Sequence, residues 1–152
     1  MELAAGVTHR DIARAGGRPV LLATLGVPFD QDASAFAVDS AVEAGECLIV
    51  ANVVELPPLA MSVKLGYDQL PDSPADQEAF LAPAALAHSL GVRVERIRVR
   101  SPRPVEALLQ IVAERRPGML VFGPDRTRLR GRAYRKAAKA IRDRAACLVW
   151  LA

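Results

Sequence analysis

The stretch GMLVFGPDRTRLRGRAYRKAAKAIRD, from Gly118 to Asp143, runs from a short apolar segment through Gly123 into a loop and then into a helix with charged and alanine-rich faces. A continuous apolar run bounded by glycines reads as a strand buried on both faces, as strands of parallel sheets are. A strand that turns at a glycine into a helix is half of a β-α-β unit. Working outward from this stretch, the same alternation recurs along the chain.

Upstream, RPVLLATLG is an apolar strand between Pro19 and Gly26. A helix follows over residues 30–46, capped by Asp32, with Ala33, Phe36, Ala37, Ser40, Ala41 and Ala44 on its inner face. CLIVANVVEL is a second buried strand, ended by Pro57 and Pro58, and a long connection over residues 56–74 carries Met61, Tyr67 and several prolines. A second helix spans residues 75–90 and closes at Gly91. In VRVERIRV the apolar positions slip from Val92 and Val94 to Ile97 and Val99, the pattern of a bulged edge strand.

After Pro102 and Pro104, a third helix buries Val105, Leu108, Leu109 and Val112. The fourth strand, the arginine-rich loop and a fourth helix at about residues 133–144 lead to ACLVWLA as a fifth strand. The order βαβαβαβαβ predicts an α/β fold with a mainly parallel sheet and helices on both faces. In such sheets ligands sit beyond the carboxyl ends of the strands where strand order reverses, which brings Gly26 and Gly123 side by side.

The chain has 152 residues, 51% of them apolar and 24% charged, which fits one domain over residues 18–152 preceded by a tail at 1–17. No apolar run reaches the ~18 residues a membrane span needs, and the N-terminus carries charges where a leader would be apolar, so a cytoplasmic protein is expected. Cys47 and Cys147 lie in apolar runs and read as buried thiols, while His9 and His88 stand apart, so no metal site is predicted. The net charge of +3 hides a division: residues 1–91 hold four basic and twelve acidic side chains, and residues 92–152 sixteen basic and five acidic. Such polarity points to an anionic partner, to self-association, or to arginines that only solvate helices.

The first strand with its glycine turn, ANVVE on the second strand, the long loop behind it, AERRPGMLVFG and the terminal RAACLVWLA together resemble the universal stress protein (UspA-like) family over residues 19–152. The resemblance implies an adenine nucleotide alpha hydrolase-like sandwich with strand order 3-2-1-4-5 and a homodimer formed through the last strand, with Leu148 and Trp150 at the contact. It also implies a regulatory or binding role in stress response. Family members that hold ATP place an acidic residue at the end of the first strand, backbone of the second strand against adenine, and a G-x2-G-x9-G-[ST] motif around the phosphates. Glycines there let backbone amides approach phosphate oxygens, and the helix behind adds its dipole.

Against that motif this chain keeps Gly123 but has Arg126 at the second glycine, Lys136 at the third and Ala137 at the hydroxyl position; a register one residue shorter puts Arg135 and Lys136 at the last two. Thr24 or Leu25 stands for the acidic residue, Gly26 remains, and Val53 or Val54 fits the adenine side. The expected role is therefore a binding module that is not a conventional ATP binder and needs no cofactor. If an anion or nucleotide such as ATP or AMP binds, Gly26, Val53, Gly123, Arg126, Arg128, Arg130 and Lys136 surround it, the arginines acting as point charges or forks.

Two other readings use the same residues. An enzyme is not predicted: no nucleophile–base set is apparent, the sequence offers no recognisable catalytic partner for Glu55, Asp68 and Asp72, and TLGVPFD has neither the Gly-rich serine turn nor the His-Gly-His element of ATP-activating relatives. Nucleic acid or another polyanion is the rival ligand, since nine basic residues and one acidic residue lie between Arg126 and Arg144. Only Tyr134 interleaves them, so stacking on bases has little support. The plainer alternative packs Ala133, Ala137, Ala140 and Ile141 on the sheet and leaves Arg132, Arg135, Lys136, Lys139 and Arg142 in water.

Overall fold

A computed structural model describes residues 18–56 and 74–152. The N-terminal tail and most of the long connection, with Met61, Tyr67, Asp68 and Asp72, lie outside the described residues. In chain order the elements are β1 (Val20–Thr24), α1 (Gln31–Ala44), β2 (Leu48–Glu55), α2 (Pro74–Ser89), β3 (Val94–Ser101), α3 (Pro104–Arg115), β4 (Met119–Phe122), α4 (Gly131–Arg144) and β5 (Leu148–Leu151). The five strands form one sheet in the order β3-β2-β1-β4-β5, every pair parallel.

Alternation along each strand feeds two cores. Leu21 and Ala23 of β1, Ile49, Ala51 and Val53 of β2, and Leu120 and Phe122 of β4 meet Leu108, Ile111 and Val112 of α3 and Tyr134, Ala137, Ala138 and Ile141 of α4. The residues between them, Val20, Leu22, Leu48, Val50 and Val121, meet Ala33, Ala37, Val38 and Ala41 of α1 and Ala87 of α2. Because both faces are covered, the central strands are apolar throughout rather than alternating.

Five local expectations are corrected. Asp30, not Asp32, caps α1: its extended backbone lets the carboxylate accept from the Ala33 amide at 2.9 Å, and Asp32 stands exposed in the first turn. Val38 replaces Phe36, Ser40 and Ala44 on the buried face of α1, and Ile111 joins Leu108 and Val112 in α3 while Val105 and Leu109 are half-buried.

β3 has no bulge; eight consecutive residues pair with β2 from Val94 opposite Leu48 to Ser101 opposite Glu55. The slip in its pattern is a change of covered face: Val92 and Val94 belong to the α1/α2 core, and Ile97 and Val99 to the α3/α4 core. In α4 the inner stripe is Tyr134, Ala137, Ala138 and Ile141, with Ala133 exposed and Ala140 half-buried. Turning by one residue buries the ring of Tyr134, a larger apolar gain than another alanine methyl offers.

Candidate functional site

The carboxyl ends of β1 and β4 lie side by side, since Ala23 pairs with Phe122 and the next residues lead into the turns that hold Gly26 and Gly123. The β1 turn is set by Thr24, whose buried hydroxyl donates to the Val27 carbonyl at 2.7 Å, and by Gly26, which takes φ +74°. Only glycine adopts that conformation cheaply. The Gly26 amide donates to Oδ1 of Asn52 at 2.9 Å, so a buried asparagine on β2 ties the turn to the neighbouring strand.

Gly123 is buried in a crowded corner. Its amide donates to the Ala23 carbonyl and its carbonyl accepts from the Asp30 amide, both at 2.9 Å. The turn beyond it closes on itself around Asp125. Oδ1 of Asp125 accepts from the Thr127 amide at 2.9 Å and from its hydroxyl at 2.7 Å, while the Asp125 carbonyl accepts from the amides of Arg128 and Leu129. Asp125 itself donates its amide to Pro28. These bonds from Thr127 hold the Asp125 carboxyl below the usual carboxylate range. Hence the amides of residues 123, 125, 127, 128 and 129 are all spent within the protein.

The arginines part company. Arg126 folds back, with its guanidinium 3.6 Å from the Tyr134 ring centroid and a bond to the Ala152 carbonyl oxygen at 3.2 Å. Tyr134 stacks on Phe122 and donates its hydroxyl to the same oxygen. Tyr134 is therefore an inward pillar rather than an exposed ring among cations. Arg128 is exposed and engaged in an interaction of its own. Arg130 is the N-terminal flanking residue of α4 and gives the first-turn amides no side-chain cap. Lys136 is exposed beside Arg132, Arg135, Lys139 and Arg142 on the outer face of α4.

Of the residues predicted from sequence, the structure brings Gly26, Gly123 and the Arg126–Arg130 turn to one end of the sheet. Val53 is a fully buried core side chain that offers a ligand only its backbone. Asp125, Thr127 and Asn52 were missed. Pro-Asp before a threonine is a turn signature with a mechanism, and a lone asparagine inside LIVANVV marks a polar duty in an apolar strand.

At the far edge, Trp150 of β5 stacks on Phe36 with centroids 4.8 Å apart and is half-buried, whereas Leu148 is 68% exposed. Cys47 and Cys147 form no disulfide among the described residues and are half-buried, and burial pushes both thiols up. Among the described residues no group of three or more metal-ligating side chains occurs, and no helix is long and apolar enough to cross a membrane.

A model of the universal stress protein family matches residues 17–152. Among solved structures, a family protein from Burkholderia pseudomallei is 17% identical with a TM-score of 0.58, over 88% of this chain and 94% of that one. A universal stress protein in complex with cAMP is 19% identical with a TM-score of 0.57, over 90% and 96%. One from Archaeoglobus fulgidus in complex with dAMP is 16% identical with a TM-score of 0.57, over 88% and 96%. Among curated proteins no sequence match was found.

Proposed function

The chain belongs to the universal stress protein family, and from that premise we propose that it is a non-enzymatic regulatory module of the cytoplasm that does not hold ATP through the turn after β4. One observation carries this reading: in the turn that would face phosphates, the amides of Gly123, Asp125, Thr127, Arg128 and Leu129 are bonded within the protein. Phosphate binding by a turn depends on several free amides converging on one oxyanion. Arg126, at the position of a motif glycine, is engaged with Tyr134 and Ala152. With β5 at the edge of the sheet and Leu148 exposed on it, the module is a homodimer through that strand, and its signal is read by a protein partner.

A second reading is favoured by the start of α4, where Arg130 gives no side-chain cap to the first-turn amides and Arg130 and Arg132 bring positive charge beside them. Relatives of the same fold hold cAMP and dAMP, each with a single phosphate. One phosphate, unlike three, needs only the helix end and an arginine fork. Calorimetric titration of the nucleotide-free protein with Mg-ATP, AMP and cyclic AMP, at low and high salt, separates the readings. The first expects no heat from any of them. Micromolar binding of Mg-ATP overturns it, and AMP binding that Arg130→Ala abolishes establishes the second. Salt-sensitive binding of a short DNA duplex, absent for nucleotides, would instead assign the outer face of α4 to polyanions.

A further inference from the structure

One cleft lies on the sheet face covered by α1 and α2, over β2 and β3, and its Phe29 wall is bridged to Pro124 of the β4 turn. It measures about 620 Å³ and is walled by Phe29, Val50, Asn52, Phe80, Leu81 and Arg96. Its floor follows from register. Parallel partners project to the same face, so the row Leu22–Val50–Arg96 runs from buried leucine to an edge cation, and the row Thr24–Asn52–Arg98 runs beside it. The floor is therefore apolar at its inner end and cationic at its lip. The first two turns of α2 roof it with Phe80 and Leu81, and the Phe29 ring meets Phe80 edge-on at 6.4 Å.

The size falls within the range of small-molecule pockets, which are mostly apolar with a few placed polar groups. Asn52 is 8% exposed, and its Oδ1 is already committed to Gly26, so the group it can turn toward a ligand is the amide donor Nδ2. Arg96 is exposed and makes no ion pair among the described residues, and no carboxylate stands among the lining residues described. Arg96 and Arg98 bring guanidinium donors to the lining, and Gln77 adds a side-chain amide. Arginine on an edge strand also discourages strand addition, but that duty asks for no aromatic walls and no buried amide beside it.

We propose that this cleft is a binding site for a flat, mainly apolar molecule bearing one anionic group, an aromatic carboxylate or sulfonate, with its body between Phe29, Phe80 and Val50 and its anion on Arg96 at the lip. The site borders the β4 turn through Phe29, which bridges Pro124, but its described lining includes neither the arginines of that turn nor the start of α4, so Arg96→Gln tests it apart from the nucleotide readings. A bound body would sit against Asn52, whose other end sets the Gly26 turn.

The test uses 8-anilinonaphthalene-1-sulfonate, with neutral N-phenyl-1-naphthylamine as the uncharged match, titrated into the whole chain and followed by fluorescence and by amide NMR shifts. Expected are one saturable site, shifts concentrated at Val50, at Phe80 and at the Asn52 side-chain amide, and about fivefold weaker sulfonate binding in Arg96→Gln. Binding of the neutral probe stays unchanged in that variant, Phe80→Ala weakens both probes, and Arg103→Gln, which removes one charge elsewhere, weakens neither. Unsaturable binding, shifts that avoid Asn52, or equal sulfonate affinity in Arg96→Gln and the native chain overturns the proposal.

Discussion

Gly123 and Ala33 touch so closely that a Cβ built on the glycine would lie 2.5 Å from the Cβ of the alanine. This contact seats the first turn of α1 against the end of β4, and the Gly123 carbonyl accepts the Asp30 amide in the same corner. Gly123, the one glycine of the phosphate motif that the chain retains, thus has a packing duty sufficient to keep it. Gly123→Ala forces backbone apart and should destabilise the fold by about 1–3 kcal/mol. A urea midpoint within error of the native chain would contradict this.

The corrected cap of α1 separates two neighbouring acids. Asp30→Ala removes the acceptor of the Ala33 amide and should cost about 1 kcal/mol. Asp32→Ala at an exposed position should stay within about 0.5 kcal/mol. Chemical denaturation of both variants ranks them, and an equal or reversed ranking rejects the assignment.

Arg126 and Tyr134 together hold the end of β5 through the Ala152 carbonyl. Tyr134→Phe should lose about 1 kcal/mol and Arg126→Ala about 0.5–1 kcal/mol. Both should speed hydrogen exchange at Leu151 and Ala152 more than at β1. Uniform change across the sheet would mean that the arginine serves no local clamp.

A cross-helix ion pair predicts acid sensitivity. Arg144 at the end of α4 bonds Glu106 of α3, with Nη2 2.9 Å from Oε2, and holds the Glu106 carboxyl below its ordinary 4.5. A carboxylate depressed in the folded state stabilises fully above its unfolded value and loses that contribution as pH falls through the lower folded value. Thermal scans of Glu106→Gln and the native chain should therefore differ at pH 7 and converge as the pH falls through the lowered folded value. A difference independent of pH would show that packing, not charge, is lost.

The proposed dimer rests on the β5 edge. Leu148→Lys puts a charge at a 68% exposed apolar position and leaves both cores intact. Sedimentation should convert a dimer of the native chain into a monomer at equal concentration. A native chain that stays monomeric at high concentration removes the proposal.

The sequence by itself determined the element order, the parallel sheet and the family. These rest on local periodicity: VLLAT, LIVANVV and MLVF are apolar without alternation because both faces are covered, and helices of ordinary length separate them. The outer face of α4 was legible for the same reason, its cations falling at helical spacing. What the tertiary structure alone decided is where each polar group spends its bonds. Asp30 rather than Asp32, and Tyr134 rather than Ala133, followed from which partner came within reach. Gly123 and Arg126 look like remnants of a ligand site in one dimension, yet each is engaged by a residue distant in sequence, Ala33 and Ala152. The cleft at Asn52 and Arg96 needed the register of two strands and the placement of α2. Hydrogen bonds and close contacts across the sheet depend on distances between residues far apart in the chain, and such distances exist only once the chain has folded.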